Sequence, residues 1–226
     1  MNKVVALLPI KQHSERVKGK NFRMICGKPL YQWILESLLD SQTIARVVID
    51  TDSENFINEL NRLYPSVQTL LRPDEIRGGM VPMNDVIAYD MSQCDDCNHF
   101  VQTHTTNPLL LSATIDKAVK IYFEGLEKYD SLFTVNRIQA RTYWKNGQPI
   151  NHEYGVMQRT QDMEPIMEEN SNLFIFSKES FAIANGRVGK APLLMEVPKT
   201  ESIEIDEEED FTLAQVLLEA RIIGKL

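Results

Sequence analysis

Lys11, Arg16, Lys18 and Lys20 fall within ten residues, interleaved with Ser14 and Gly19 and followed by Asn21. Four cations on one short loop can neutralise a polyanion such as a triphosphate, and Gly19 lets the backbone come close to it. The same residues also describe a solvated cationic turn. Neither G-x-x-x-x-G-K-[ST] nor G-x-G-x-x-G is present. Far along the chain, Glu204-Ile205-Asp206 places two carboxylates at strand spacing, on one face. Their mutual repulsion would be relieved by a divalent cation. An exposed acidic segment ahead of a helix, with Glu207–Glu209 in its first turn, is the plainer alternative.

Two further stretches carry polar groups able to meet a ligand. Gln102-Thr103-His104-Thr105-Thr106-Asn107 follows an apolar run, at the strand end where open α/β sheets bind ligands. Arg159-Thr160-Gln161-Asp162 and Glu168-Glu169-Asn170 are rich in groups that suit a carboxylate or a polyhydroxylated ligand, though polar loops look the same. Cys94 and Cys97 form a C-x-x-C without a second pair, which reads as a helix-to-strand loop.

The elements that must carry these residues alternate. Strands are expected over Val4–Ile10, Arg46–Asp50, Val67–Leu71, His99–Thr103 and Ser131–Val135. Between them lie helical patterns starting at about Pro29, at Ser53 as N-cap, over about Pro82–Met91, and at Ser112 as cap. This order implies an α/β fold with a mixed, mostly parallel sheet flanked by helices. The alternation breaks over residues 136–170, an antiparallel excursion in which Asn146-Gly147 predicts a type I′ hairpin turn. Leu173–Phe176 returns to the core. Leu193–Val197 and Ser202–Ile205 are expected as final strands, and Phe211–Ile222 as the last helix.

Residues 1–226 read as a single domain with 136–170 as an arm. A net charge of -8 disfavours a nucleic-acid partner. No apolar run reaches the roughly 20 residues that span a bilayer. Three cysteines without framework spacing point to a reducing, cytoplasmic compartment.

Taken in order along the chain, these segments resemble the sugar-acid cytidylyltransferases, the family of the acylneuraminate and 3-deoxy-manno-octulosonate enzymes. Leu8-Pro9-Ile10-Lys11 through Gly19-Lys20-Asn21, then Gly27-Lys28-Pro29-Leu30, resembles its I-P-A-R-x-x-S-x-x-x-x-G-K-N and N-G-K-P-L. Val48–Asp52, Leu71-Arg72-Pro73, His104–Leu109, Arg159–Asp162 with Asn170, and Ile203–Asp210 are similar to later family segments. The resemblance implies a nucleotidyltransferase fold with a dimerisation arm. It also implies transfer of CMP from CTP to a 2-keto sugar acid, with Mg²⁺ required. By that resemblance Lys20, Arg16 and Asp206 are catalytic. Lys11, Ser14, Lys20, Asn21, Arg72 and His104 hold the nucleotide. Gln102, His104, Arg159, Gln161 and Asn170 contact the acid, Asp206 and Glu204 hold the metal, and the protein is a homodimer. Lys11 stands where Arg is usual, His104 where Gln is common, and Glu204 where Asp is.

Overall fold

The computed structural model describes residues 4–13 and 17–226. Its main sheet has seven strands in the order β5-β4-β1-β6-β8-β7-β9. In chain order these are β1 (Val4–Leu7), then a two-stranded hairpin of β2 (Met24–Ile25) and β3 (Lys28–Pro29), β4 (Ile44–Thr51), β5 (Gln68–Leu71), β6 (His99–Gln102), β7 (Ser131–Ile138), β8 (Ile166–Ser177) and β9 (Pro192–Glu196). The helices are α1 (Leu30–Asp40), α2 (Glu54–Leu63), α3 (Met83–Ser92), α4 (Ser112–Gly125), α5 (Lys178–Ala184) and α6 (Glu208–Ile222). β5, β4, β1 and β6 run parallel; β8 is antiparallel to both β6 and β7, and β9 is parallel to β7.

The sheet is buried on both faces, and strand period explains how. Val4, Ala6, Leu8 and Ile10 face one core with Val47, Ile49, Leu173 and Ile175, against α1, α2 and α4. The intervening Val5 and Leu7 join Val48, Phe100, Phe174 and Phe176 on the other face. The first-strand prediction held through Leu7; Ile10 adds a separate bridge to Thr51.

Three expectations need correction. Ser202–Ile205 forms no strand; its backbone is held instead by side chains and loops, as described below. Ser112 is the first residue of α4 rather than its cap. The cap is Leu111, whose N–H donates to the carboxylate of Glu201 at 3.0 Å. Asn146-Gly147 does not form a type I′ turn, because Asn146 keeps a negative φ. The hairpin closes through Gly147 N–H to Trp144 O at 2.8 Å with only Gly147 left-handed, a type I turn with a glycine bulge. The turn with two left-handed residues lies elsewhere, at Cys26 (φ 48°) and Gly27 (φ 90°) between β2 and β3. Beyond Val135, β7 pairs with β8 alone, so Asn136–Ile138 and Ile166–Glu168 form an antiparallel stem from which residues 139–165 extend.

β8 is interrupted where it passes the site. Phe133 pairs with Phe174, and Val135 next pairs with Glu169, so β8 carries extra residues there. Ser171 takes a left-handed φ of 55° in this bulge. The bulge turns Asn170 and Asn172 into the interior, where both are buried.

Candidate active site

The carboxyl ends of β1 and β6 open on a cleft of about 340 Å³. Its walls include Lys11, Lys20, Asn21, Arg72, Gly78, Gly79, His104, Thr105 and Thr106. Lys11, Lys20, Asn21, Arg72 and His104, all predicted from sequence, are thus brought together from three separate loops. Ser14 and Arg16 lie outside the described residues.

Lys20 sits in a short 3-10 turn that starts at the left-handed Gly19. It is 8% exposed. Its ammonium donates to the carbonyl of Ile205, 185 positions away in sequence, and stands 3.6 Å from the Asp206 carboxylate. One side chain therefore joins the cationic loop to the acidic pair. The acidic segment is fixed at further points. Ile205 N–H donates to Thr106 O at 2.9 Å, Asn172 Nδ2 to Glu201 O at 2.7 Å, and the N–H groups of Asp206 and Glu207 both reach Asp210 Oδ2. Ile205 is buried with Phe211 and Leu218, while Glu204 and Asp206 are only half-buried. Neither carboxylate belongs to a strand, so the strand spacing that predicted a shared face does not apply here.

Asn21 works as a strut. Its Nδ2 donates to Lys11 O at 2.8 Å, and its Oδ1 accepts from Thr105 Oγ1 at 2.6 Å, tying the first loop to the β6 loop. Arg72 makes a buried two-pronged pair with Asp50, at 2.7 and 2.6 Å. Burial raises the Asp50 carboxyl above its ordinary range and Arg72 pulls it back. Asp90, fully buried on α3, has neither oxygen hydrogen-bonded; burial and the nearby Asp50 charge push its pKa well up. The proton in this trio therefore sits on Asp90, leaving Asp50 ionised against Arg72.

His104 accepts at Nε2 from Arg187 Nη1 at 3.1 Å, with Gln102 Nε2 at 3.2 Å. Arginine can only donate, so the imidazole proton lies on Nδ1. Burial first, then the charges of Arg187 and Lys20, lower the His104 pKa to about 3, so the ring is neutral at physiological pH. Gln102 is buried beneath it, donating to Thr103 O and accepting from Arg187.

The remaining predicted residues do not line the cleft. Asn170 is committed to the bulge, accepting from Thr134 Oγ1 at 2.7 Å and donating to Asn136. Arg159 is exposed and paired with Asp162 on the 139–165 excursion, where Gln161 is exposed beside it.

A sequence profile of the cytidylyltransferase family matches residues 5–223. The chain belongs to the cytidylyltransferase family. It is 27% identical over 219 residues to the N-acylneuraminate cytidylyltransferase of Escherichia coli O18:K1:H7, covering 94% of this chain and 51% of that protein. It is 25% identical over 228 residues to the CMP-N,N'-diacetyllegionaminic acid synthase of Legionella pneumophila, covering 96% and 97%. The chain thus spans about half the length of the N-acylneuraminate cytidylyltransferases it matches. Among solved structures, a CMP:2-keto-3-deoxy-manno-octonic acid synthetase complexed with CTP superposes with a TM-score of 0.69 at 11% identity, over 97% of this chain and 100% of that one. A 4-diphosphocytidyl-2C-methyl-D-erythritol synthase from Anaerococcus prevotii gives 0.67 at 10%, over 96% of each. At these identities the two superpositions speak for the fold alone.

Behind the walls of this cleft, sequence reasoning passed over two residues. Arg187 follows a short helix in a segment without chemical pattern, and only the fold brings it to His104. Asp90 reads as one polar position on an amphipathic helix. Nothing in its spacing signals that α3 turns it inward towards Asp50 and Arg72.

Proposed function

We propose that this chain transfers CMP from CTP to the anomeric hydroxyl of a 2-keto sugar acid of the nonulosonate class, releasing pyrophosphate. The observation that carries the reading is Lys20, which spans from the cationic loop to Ile205 and Asp206 beside the cleft. A polyphosphate placed there meets cations from one segment and carboxylates from another.

In this reading the sugar hydroxyl attacks the α-phosphorus in line. The new P–O bond forms as the bond to the β-phosphate oxygen breaks, and the hydroxyl proton passes to solvent. Catalysis is then mainly positioning and charge neutralisation. Lys20, with Lys11 and Arg16, neutralises the phosphates, and Arg72, held by Asp50, stiffens the cleft wall. Asn21 braces the nucleotide loop, and Ser14 with Asn21 would hydrogen-bond the nucleotide. His104, neutral and fixed in one tautomer, offers hydrogen bonds without added charge. Gln102 supports it from below, and Asn170 fixes the bulge beside it.

Glu204 and Asp206 suit Mg²⁺. Both are hard oxygen donors, half-buried and two positions apart, and among the described residues no three His, Cys, Asp or Glu gather into a metal cage. Two carboxylates leave coordination positions for phosphate oxygens and water, as Mg²⁺ prefers. Bound Mg²⁺ would neutralise developing charge on the phosphates.

We further propose a cytoplasmic homodimer. Tyr143, Trp144, Tyr154 and Met157 are 52–88% exposed on the excursion, an apolar surface that a second copy would cover. Arg159 and Gln161 lie on that same excursion, placed to meet acid substrate in the assembled dimer. No helix among the described residues is long and apolar enough to cross a membrane.

The test is pyrophosphate release from CTP and Mg²⁺ across a panel of nonulosonates, an octulosonate and a phosphonate. Release confined to nonulosonates supports the proposal. CTP binding without release for any acceptor contradicts it.

A further inference from the structure

Arg187 is held at both ends. Before it, α5 stops at the left-handed Asn185, and Gly186 lies so close to Asn84 that a Cβ there would stand 2.6 Å from Nδ2. After it, a Cβ on Gly189 would meet Asp130 Oδ1 at 2.0 Å. Asp130 accepts the N–H groups of Lys190 and Ala191 at 2.7 and 3.1 Å, and Ser131 Oγ accepts that of Gly189 at 2.8 Å. The backbone carrying Arg187 has little freedom.

The guanidinium lies 4.1 Å over the Phe174 ring. Nη1 donates to Gln102 Oε1 at 2.5 Å and to His104 Nε2 at 3.1 Å. Among the described residues Nε and Nη2 have no hydrogen-bond partner, and no carboxylate stands within ion-pair distance. Glu169 and Glu204 act on it only from farther away, and burial weakens its hold on the proton. Arg187 is half-buried, touches the cleft-lining His104 and keeps Nε and Nη2 open, so it is set to take an anion.

Resting on the function proposed above, we propose that Arg187 receives the carboxylate of the sugar acid. In that function the phosphates are served by Lys11 and Lys20, which line the cleft. At Arg187, the buried Phe174 ring lies against the guanidinium face and fixes its plane, leaving the edge that carries Nε and Nη2 for a ligand. The planar fork matches a carboxylate through two parallel bonds, which a lysine cannot reproduce. Arg187 is then a binding residue for the acceptor, and Gln102 and His104 orient it.

The experiment compares wild type, Arg187→Gln and Arg187→Lys with N-acetylneuraminate, its C1 carboxamide and N,N'-diacetyllegionaminate, alongside CTP affinity by titration calorimetry. Wild type should prefer acid to carboxamide. In Arg187→Gln the KM for the acid should rise by at least about tenfold, the loss expected for a charged hydrogen bond. Preference over the carboxamide should vanish while the Kd for CTP moves less than about threefold. Arg187→Lys should fall between. CTP affinity that survives shows that the variant is folded. Unchanged acid-over-amide preference in Arg187→Gln would overturn the assignment. So would a CTP Kd that rises as much as the acid KM, which would make Arg187 a phosphate ligand. A wild type that binds CTP yet neither binds nor converts any sugar acid would overturn the functional reading and this assignment together.

Discussion

Lys20 is useful in this cleft because it is buried and anchored. A surface lysine would lose much of its effect to solvent, whereas this one holds its charge between Ile205 O and Asp206. Lys20→Ala should therefore lower kcat/KM by about 10²–10³, the scale of losing one preorganised electrostatic donor. Asp206→Asn should raise the Mg²⁺ concentration needed for half-maximal turnover; unchanged metal dependence would reject its ligand role. His104 gives a prediction of a different kind. Its folded-state pKa lies near 3, below the ordinary 6.5, so the unfolded chain binds the extra proton first as pH falls. Stability from this site is present above about pH 6.5 and is lost towards pH 3. His104→Gln should lose less stability than wild type between pH 7 and 4, and should leave the shape of the pH–rate profile near neutrality unchanged. Asp90 runs the other way. Its raised pKa makes the folded state the proton binder, so stability falls as pH rises above the unfolded carboxylate value. Asp90→Asn should gain melting temperature over wild type as pH goes from 4 to 8, and a constant difference would show that Asp90 is ionised in place.

At the scale of elements, the bulge in β8 is where chain strain and site meet. Ser171 holds a left-handed backbone that costs an L-residue about 1–2 kcal/mol. Ser171→Gly should accordingly raise stability by up to about 1 kcal/mol in urea unfolding, after the glycine's own entropy is set against it. Loss of stability would mean that the side chain contributes contacts outweighing the strain. The bulge also shows what could be read in advance. Val4–Leu7 and Leu173–Phe176 were legible because every position is apolar and both faces are buried. The cleft residues Lys11, Lys20 and His104 were legible because they follow strand ends. Ser202–Ile205 alternates like a strand yet pairs with none, since its partners are Lys199 O, Thr106 O and the Lys20 ammonium rather than a neighbouring strand. Local alternation reports burial, and it carries no information about which group satisfies the backbone. The two turns were mistaken for a related reason. Asn-Gly favours a left-handed pair, but in the 139–165 excursion the hairpin takes a three-residue loop, while at Cys26-Gly27 a two-residue connection requires the left-handed pair. Arg187 was illegible because the contacts that define it come from residues 102, 104 and 174.

For the whole molecule, an acidic chain of net charge -8 gathers Lys11, Lys20 and Arg72 at one cleft and presents an apolar surface on one excursion. Sedimentation should give twice the 25.9 kDa chain mass, and Trp144→Ser should shift the equilibrium towards monomer without altering CTP affinity. A wild-type chain that sediments as a monomer would remove the role given to the excursion. The central claim concerns the bond that is made. A nonulosonate labelled with ¹⁸O at its anomeric hydroxyl, incubated with CTP and Mg²⁺, tests it in a single turnover. The predicted result is label in the bridging oxygen of a CMP-sugar and none in the pyrophosphate. Label absent from the CMP-sugar, or pyrophosphate formed with free CMP and no sugar product, would contradict it.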